Sequence, residues 1–173
     1  MISYLESSAE ISSDGVYRYR LSRRLGVGER TVLFVCTNPS TADAKQDDPT
    51  LRRCAGFALM WGFDWLLMGN LNAYRSTDPK ALLNVDDPVG PDNRVALKRM
   101  AHRAEVIVAA WGSAPLTCYA ATLGRWILSL DRTRCLGINK NGSPKHPLYL
   151  PRNATLHRAS GELRIKIPKV VSG

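Results

Sequence analysis

The sequence predicts a three-layer α/β/α sandwich with a four-stranded, mostly parallel central sheet. Short apolar runs of strand length alternate along the chain with segments whose apolar residues have helical spacing. Such alternation favours right-handed crossovers between parallel strands, with helices on both faces of the sheet. The chain has 173 residues, of which 45% are hydrophobic, and this is enough for one buried core. We therefore expect a single domain over residues 1–173.

The first elements are predicted from polarity patterns and from a helix start signal. Residues 17–22 alternate in polarity and indicate an entry strand, and residues 32–37 are a continuous apolar run typical of a buried strand. A helix is predicted over about 50–61, because Asp48 can cap it and Pro49 suits its first turn. The first half of the chain thus begins the alternation of strands and helices.

The later elements continue this alternation and end in a basic segment. Residues 163–167 either add an edge strand or belong to a basic tail. The other predicted elements are a strand over 65–69, a short helix near 79–83 inside a proline-rich loop, a helix over 92–103, a strand over 106–110, a helical face over 116–127 and a strand over 134–138.

The charge of the chain favours a polyanionic partner. Lys and Arg number 24 against 15 Asp and Glu, which gives a formal net charge of +9 and a pI near 9.7. Basic side chains bind phosphates and release their counterions, so DNA, single- or double-stranded, is the first candidate. The alternative is a solvated surface that happens to be basic.

The sequence argues against a membrane-spanning protein and against a secreted one. No apolar stretch approaches the roughly 18 residues of a membrane span, and residues 1–10 lack the pattern of a secretion signal. We therefore expect a cytoplasmic protein with no membrane partner. A small basic enzyme of the kind considered below is also expected to be a monomer. The cysteines are scattered with no CxxC pair, so we expect buried free thiols, no metal and no cofactor.

Two tripeptides mark the candidate active site. Asn38-Pro39-Ser40 and Lys145-His146-Pro147 each follow an apolar run that is short enough to be a buried strand. The ends of parallel strands can converge at one edge of a sheet, which is where open α/β sheets hold their ligands. We expect the two tripeptides to share one cleft there.

A series of short motifs, in order along residues 17–150, carries a resemblance to a known family. The chain resembles a bacterial and phage family catalogued as domain-of-unknown-function family 1643, whose name leaves the activity open. The motifs are Asn38-Pro39-Ser40-Thr41-Ala42-Asp43, Asp47-Asp48-Pro49-Thr50, Asn70-Leu71 with Ala73-Tyr74-Arg75, Asp87-Pro88-Val89-Gly90, Ala110-Trp111-Gly112 and His146-Pro147-Leu148-Tyr149.

Four of these positions are also similar to motifs of the uracil-DNA glycosylase superfamily. There, a first strand delivers a water-positioning Asp or Asn beside Pro, a second an Asn that reads the base, a third a Gly-containing turn, and a fourth His-Pro. The chain departs from the superfamily after His-Pro, where Leu148-Tyr149 replaces small residues, and it lacks the iron-sulfur cysteines of some branches. The resemblance implies a uracil-DNA-glycosylase-like domain that releases bases.

The chemistry of N-glycosidic cleavage assigns a role to each candidate residue. Cleavage leaves negative charge on the base, so a donor must meet the base oxygen, while water must reach the sugar carbon. His146 is the expected donor, Asn38 the group that orients the water, and Asp43 a general base. The resemblance and the chemistry together predict base-binding residues Asn70, Tyr74, Trp111, Tyr149 and Pro39, and phosphate-binding residues Ser40, Arg75, Ser113 and Lys145.

Two alternatives stay open at this point. The acidic residues Asp43, Asp47 and Asp48 could hold magnesium for phosphate-ester hydrolysis, although they could equally cap the following helix. The second alternative is a module that binds nucleic acid or a modified base without cleaving it. The sequence does not select the base, or choose between DNA and a free nucleotide.

Overall fold

The computed structural model describes residues 2–159, so the segment 163–167 lies outside the described residues. Within residues 2–159, seven strands form one sheet, accompanied by three α-helices and two short 3-10 helices. The strands are β1 (Glu6–Ile11), β2 (Arg18–Arg24), β3 (Thr31–Cys36), β4 (Trp65–Asn70), β5 (Val106–Ala109), β6 (Thr133–Cys135) and β7 (His157–Arg158). The helices are α1 (Pro49–Met60), α2 (Asn93–Arg103) and α3 (Cys118–Leu128), with 3-10 helices at Pro79–Asn84 and Pro147–Tyr149.

The prediction of a four-stranded, mostly parallel sheet is wrong. The sheet has the order β1-β2-β4-β3-β5-β6-β7 and is mixed. The pairs β3–β4, β3–β5 and β5–β6 are parallel, while β1–β2, β2–β4 and β6–β7 are antiparallel. The N-terminal hairpin, formed by β1 and β2, extends one side of the sheet, and β7 forms the opposite edge.

The core lies on both faces of the sheet. On one face, α1 packs Leu51, Cys54 and Phe57 against the strand residues Phe34 and Met68. On the other, α2 and α3 pack against β3, β4 and β5, and Trp111 joins this second cluster. All six residues of β3 are buried, because this strand is central and covered on both sides.

Helix starts follow the local signals of the sequence. Asp48 caps α1 by accepting a hydrogen bond from the Leu51 backbone N–H at 2.7 Å, with Pro49 in the first turn. Thr117 caps α3 through the Ala120 N–H at 3.3 Å. No helix in residues 2–159 combines the length and apolarity that crossing a bilayer requires.

The cysteines depart from the prediction at one position. Cys36, Cys54 and Cys135 are buried free thiols, but Cys118 at the start of α3 is exposed. Burial raises the pKa of Cys36 to about 12, so its thiol is neutral although the residue lines the cavity described below.

Candidate active site

A cavity of about 410 Å³ opens at the carboxyl ends of the parallel strands. The end of β3 leads into Thr37 and Asn38, β4 ends at Asn70, and the turn after β5 contains Trp111. The hydroxyl of Thr37 donates to the backbone carbonyl of Trp111, which ties the β3 exit to the β5 exit. Such a position beside a central strand, at the carboxyl edge of parallel strands, is where α/β sheets bind ligands.

Asn38 is held in one orientation by two backbone carbonyls. Its Nδ2 donates to the carbonyl oxygen of Pro39 at 3.0 Å and to that of Ser76 at 2.7 Å. Both amide hydrogens are therefore engaged, and Oδ1 remains as an acceptor in a residue that lines the cavity. The bond to Ser76 also fixes the loop after β4 over the loop after β3.

His146 reaches the same cavity by a route that the sequence did not indicate. The expectation that its tripeptide follows directly on a buried strand is wrong, because β6 ends at Cys135. The chain makes a turn and returns, with Ile138 bridged to Pro144 and the Lys145 N–H bonded to the Gly137 carbonyl at 2.9 Å. This stretch, residues 138–146, is the return segment, and it places His146 in the cavity wall.

The turn after β5 brings its backbone against His146. Gly112 has φ of +70°, a conformation that residues with a side chain rarely adopt. A Cβ at this position would lie 3.2 Å from the Cβ of His146. Glycine is therefore favoured here, both by the turn and by the close approach of the histidine.

The hydrogen bonds of His146 define its neutral form. Its Nδ1 accepts from the Leu148 backbone N–H at 3.3 Å, which caps the 3-10 helix Pro147–Tyr149. Nδ1 is thus unprotonated, and Nε2 carries the hydrogen of the neutral ring. Burial lowers the pKa of His146 and outweighs the opposing attraction of Asp48. At neutral pH the residue is an uncharged donor.

Two buried residues that line the cavity carry donors without partners. Asn70 and Trp111 are each only 2% exposed, and both line the cavity. Within residues 2–159, the Asn70 Nδ2 and the Trp111 Nε1 have no hydrogen-bond partner. A buried donor left unsatisfied costs about 1–3 kcal/mol, so these two donors are polar groups of the cavity residues for which residues 2–159 supply no acceptor.

Arg18 also lines the cavity, although sequence reasoning did not select it. Glu10 pairs with Arg20 and Ile11 pairs with Arg18, so Tyr19 is an extra residue opposite β1. Such a β-bulge changes the face on which the next side chain lies. Tyr19 packs beside Ala96 of α2, whereas the Arg18 guanidinium reaches the Ala42 carbonyl on the α1 side. Simple alternation of residues 17–22 could not reveal this.

The acidic loop contributes one carboxylate to the cavity. Asp48 lines it, whereas Asp43 accepts from the Lys45 and Gln46 N–H groups and is not among the lining residues. Asp47 is bound by Arg23 at 2.8 Å and by the Tyr4 hydroxyl at 2.5 Å. Among the described residues, no three His, Cys, Asp or Glu side chains are grouped so that they could hold a metal ion.

The predicted site residues fall into two sets, those that line the cavity and those that do not. Tyr74 stacks edge-on against Tyr17, and the Arg75 Nη1 donates to the Gly15 carbonyl at 3.2 Å. The residues brought together around the cavity are Asn38, Ser40, Asn70, Trp111, Ser113, His146 and Tyr149. The residues not among those lining it are Pro39, Asp43, Tyr74, Arg75 and Lys145.

Fold and site together define an α/β protein with a polar, partly buried cavity at the carboxyl edge of its parallel strands. The family model described as "Protein of unknown function (DUF1643)" matches residues 18–148. The chain belongs to this family. No curated protein and no solved structure gives a significant match.

Proposed function

We propose that this protein is a DNA glycosylase-like hydrolase that takes a nucleotide out of the stack and cleaves the N-glycosidic bond of a damaged or modified base. One observation carries the proposal. The free amide oxygen of Asn38 and the neutral imidazole of His146 belong to residues of one cavity, whose inner end contains the unpartnered amide of Asn70. This set provides an acceptor for water, a donor for the leaving base and a group that reads the base.

His146 stabilises the leaving base. When the bond between the sugar carbon and the base nitrogen breaks, its electron pair passes to the base and delocalises onto a carbonyl oxygen. The Nε2–H of His146 donates a hydrogen bond to that oxygen without transferring its proton. A neutral donor serves here because its hydrogen bond strengthens as the charge develops.

Asn38 and Asp48 act on the water. The Oδ1 of Asn38 accepts a hydrogen bond from the water and directs its oxygen to the sugar carbon, where positive charge has formed. The water oxygen bonds to that carbon, and one of its protons leaves. Asp48 takes this proton, because it is the one carboxylate lining the cavity among the described residues. This assignment replaces the general-base role predicted for Asp43.

Asn70 and Tyr149 recognise the extruded nucleotide. The Asn70 amide provides a donor and an acceptor, which is the complement of a pyrimidine edge. Tyr149 is 85% exposed and its ring centroid lies 6.2 Å from that of His146. An exposed aromatic ring beside the cavity provides a surface on which a base can stack.

Two further observations support the proposal. The order of the motifs along the chain is similar to that of the uracil-DNA glycosylase superfamily, and the residues of those motifs include Asn38, Asn70, Trp111 and His146 of the cavity. The formal charge of +9 favours binding to the phosphates of DNA.

The test is release of free bases from DNA by the full-length protein with no metal added. DNA containing uracil, deaminated purines or modified pyrimidines, including genomic DNA from diverse phages, is incubated with protein, and released bases are identified by mass spectrometry. We expect base release and matching abasic sites. His146→Ala should reduce both by about 100-fold to 1,000-fold. His102→Ala, at an exposed position on α2, should leave them unchanged.

Three outcomes would contradict the proposal. Tight binding of a modified base without release would make the protein a reader. Strand cleavage that requires magnesium and depends on Asp47 would make it a phosphoesterase. Equal release by the wild type and by His146→Ala would remove the imidazole from the chemistry.

A further inference from the structure

We propose that Arg18 forms an anion-binding subsite at the inner end of the cavity, and that the substrate base therefore carries an acidic substituent. That the substrate base carries an acidic substituent rests on the proposed function. The anion-binding subsite concerns only what the cavity binds, and it is tested separately below.

The Arg18 side chain is a buried cation with very few partners. The residue is 3% exposed and lines the cavity. Its Nη1 donates to the Ala42 carbonyl at 2.6 Å, and its Nε has no partner among the described residues. A guanidinium offers five N–H donors, so most of its hydrogen-bonding capacity is unused.

No carboxylate compensates this charge directly. In the described part of the chain, no carboxylate oxygen lies within 4.0 Å of a nitrogen of Arg18. Asp48 attracts it only from a distance, and Arg23 and Arg75 repel it. Burial lowers the pKa of Arg18 to about 10, so the side chain remains charged at neutral pH. Buried charges in proteins are normally paired, and the missing partner here is an anion brought by a ligand.

Arg23 shows what a compensated arginine looks like on the same strand. It is 1% exposed, and both its Nε and its Nη2 donate to one carboxylate oxygen of Asp47, at 3.1 and 2.8 Å. Its Nη1 and Nη2 also donate to backbone carbonyls, of Ser22 and Asp43. The contrast between the two buried arginines of β2 indicates that Arg18 is kept for binding.

The position of Arg18 favours a substituent on the base over a backbone phosphate. Arg18, Asn70 and Trp111 line the cavity and are each at most 3% exposed, whereas Tyr149, which also lines it, is 85% exposed; we infer from this that the first three form its inner end. In a nucleotide extruded into the cavity, the base enters first and the phosphates stay at the opening. The group that reaches Arg18 is then attached to the base, and a planar carboxylate fits the guanidinium fork.

The test measures binding and does not depend on catalysis. Calorimetric titration of the full-length protein compares 5-carboxyuracil with 5-hydroxymethyluracil, which is similar in size and neutral. A parallel pair, uridine monophosphate and uridine, reports on a phosphate as the source of the anion. We expect the carboxylate to bind about 10-fold to 100-fold more tightly than the neutral base, and the phosphate to add much less.

Variants separate a ligand-binding arginine from a structural one. Arg18→Met should remove the preference for the carboxylate while leaving the thermal stability of the ligand-free protein equal or higher, because it removes an uncompensated charge. Arg18→Lys, which keeps the charge and loses the fork, should retain part of the preference. Arg20→Met is the control, because Arg20 pairs with Glu10 on the other face of the sheet and does not line the cavity.

Each contrary result has a definite meaning. Equal binding of the carboxylate and the neutral base by the wild type overturns the subsite, as does a preference that persists in Arg18→Met. A larger effect of the phosphate than of the carboxylate keeps the anion site but overturns the acidic base. If the preference is present and no base is released from any DNA, the subsite stands and the glycosylase proposal fails.

Discussion

The two nitrogens of His146 have different tasks. Nδ1 accepts the Leu148 N–H and so holds the short 3-10 helix at the cavity, while Nε2 is the donor proposed for the leaving base. The conservative substitution for testing this division is asparagine, whose Oδ1 can also accept a backbone N–H at a helix start.

His146→Asn should separate the cap from the chemistry. We expect an unfolding free energy close to that of the wild type, because the capping bond is kept, whereas His146→Ala should lose about 1 kcal/mol. Base release should fall by about 100-fold to 1,000-fold in both variants, since neither alanine nor the shorter asparagine places an N–H at the position of Nε2. Denaturant unfolding and single-turnover assays measure the two effects. Full activity in His146→Asn would show that the imidazole only caps.

Burial of His146 also predicts how the reaction depends on pH. Its pKa lies below the ordinary value of 6.5, so the neutral ring persists below that pH. Base release should be level above pH 6.5 and fall only as the pH drops through the lowered pKa. A midpoint at or above 6.5 in a pH profile of single-turnover rates would contradict this, and the residual rate of His146→Asn should lack that midpoint.

The unfolding free energy of the protein should change over the same pH range. As the pH falls below 6.5, the unfolded chain takes up a proton on this histidine before the folded chain does. This group therefore lowers the unfolding free energy from about pH 6.5 down to its folded pKa, and has no further effect below it. The slope of stability against pH in the wild type, minus that in His146→Asn, isolates the contribution.

At the scale of elements, the turn after β5 controls how closely the return segment approaches the cavity. Gly112→Ala should lower the unfolding free energy by about 1–2 kcal/mol, the cost of a left-handed residue with a side chain, and should also reduce base release by displacing His146. The control is Gly56→Ala in α1, where an added Cβ meets nothing within 4 Å. That variant should gain about 0.5–1 kcal/mol. Equal effects of the two variants in thermal unfolding would contradict the role given to the turn.

Elements were predictable from sequence where the signal is local. The apolar run of β3 and the Asp48-Pro49 start of α1 lie within about one residue of their predicted positions. β1 was missed because its sequence, ESSAEI, has no apolar run, and it joins the sheet only by pairing with β2. The antiparallel pairing of β2 with β4 is a contact between distant segments, and no local pattern encodes it.

The site residues near strand ends were predictable from the sequence, but the site as a whole was not. Asn70 ends β4, and Asn38 and Trp111 each lie two residues after the last residue of a strand, so their convergence follows from parallel pairing. Arg18 was missed because its orientation depends on the bulge at Tyr19. Tyr74 and Arg75 were expected near the base, but pairing with the N-terminal hairpin holds them elsewhere, as the bridge between Tyr17 and Tyr74 shows.

At the scale of the whole molecule, the positive charge should govern encounter with DNA. Neutralising phosphates releases counterions, so the logarithm of the binding constant should fall linearly with the logarithm of salt concentration. We expect a clear loss of affinity between about 50 and 200 mM salt, measured by fluorescence anisotropy with a labelled oligonucleotide. Binding of free 5-carboxyuracil, which has no phosphates, provides the control and should change far less. A salt-independent DNA affinity would contradict the electrostatic role.

The N-terminal hairpin and the return segment meet at the cavity, with Arg18 from one end of the chain and His146 from the other. A ligand that contacts both side chains would therefore link the N-terminal hairpin to the return segment. Occupancy should then slow hydrogen exchange in both segments together, so ligand binding would depend on both segments being folded.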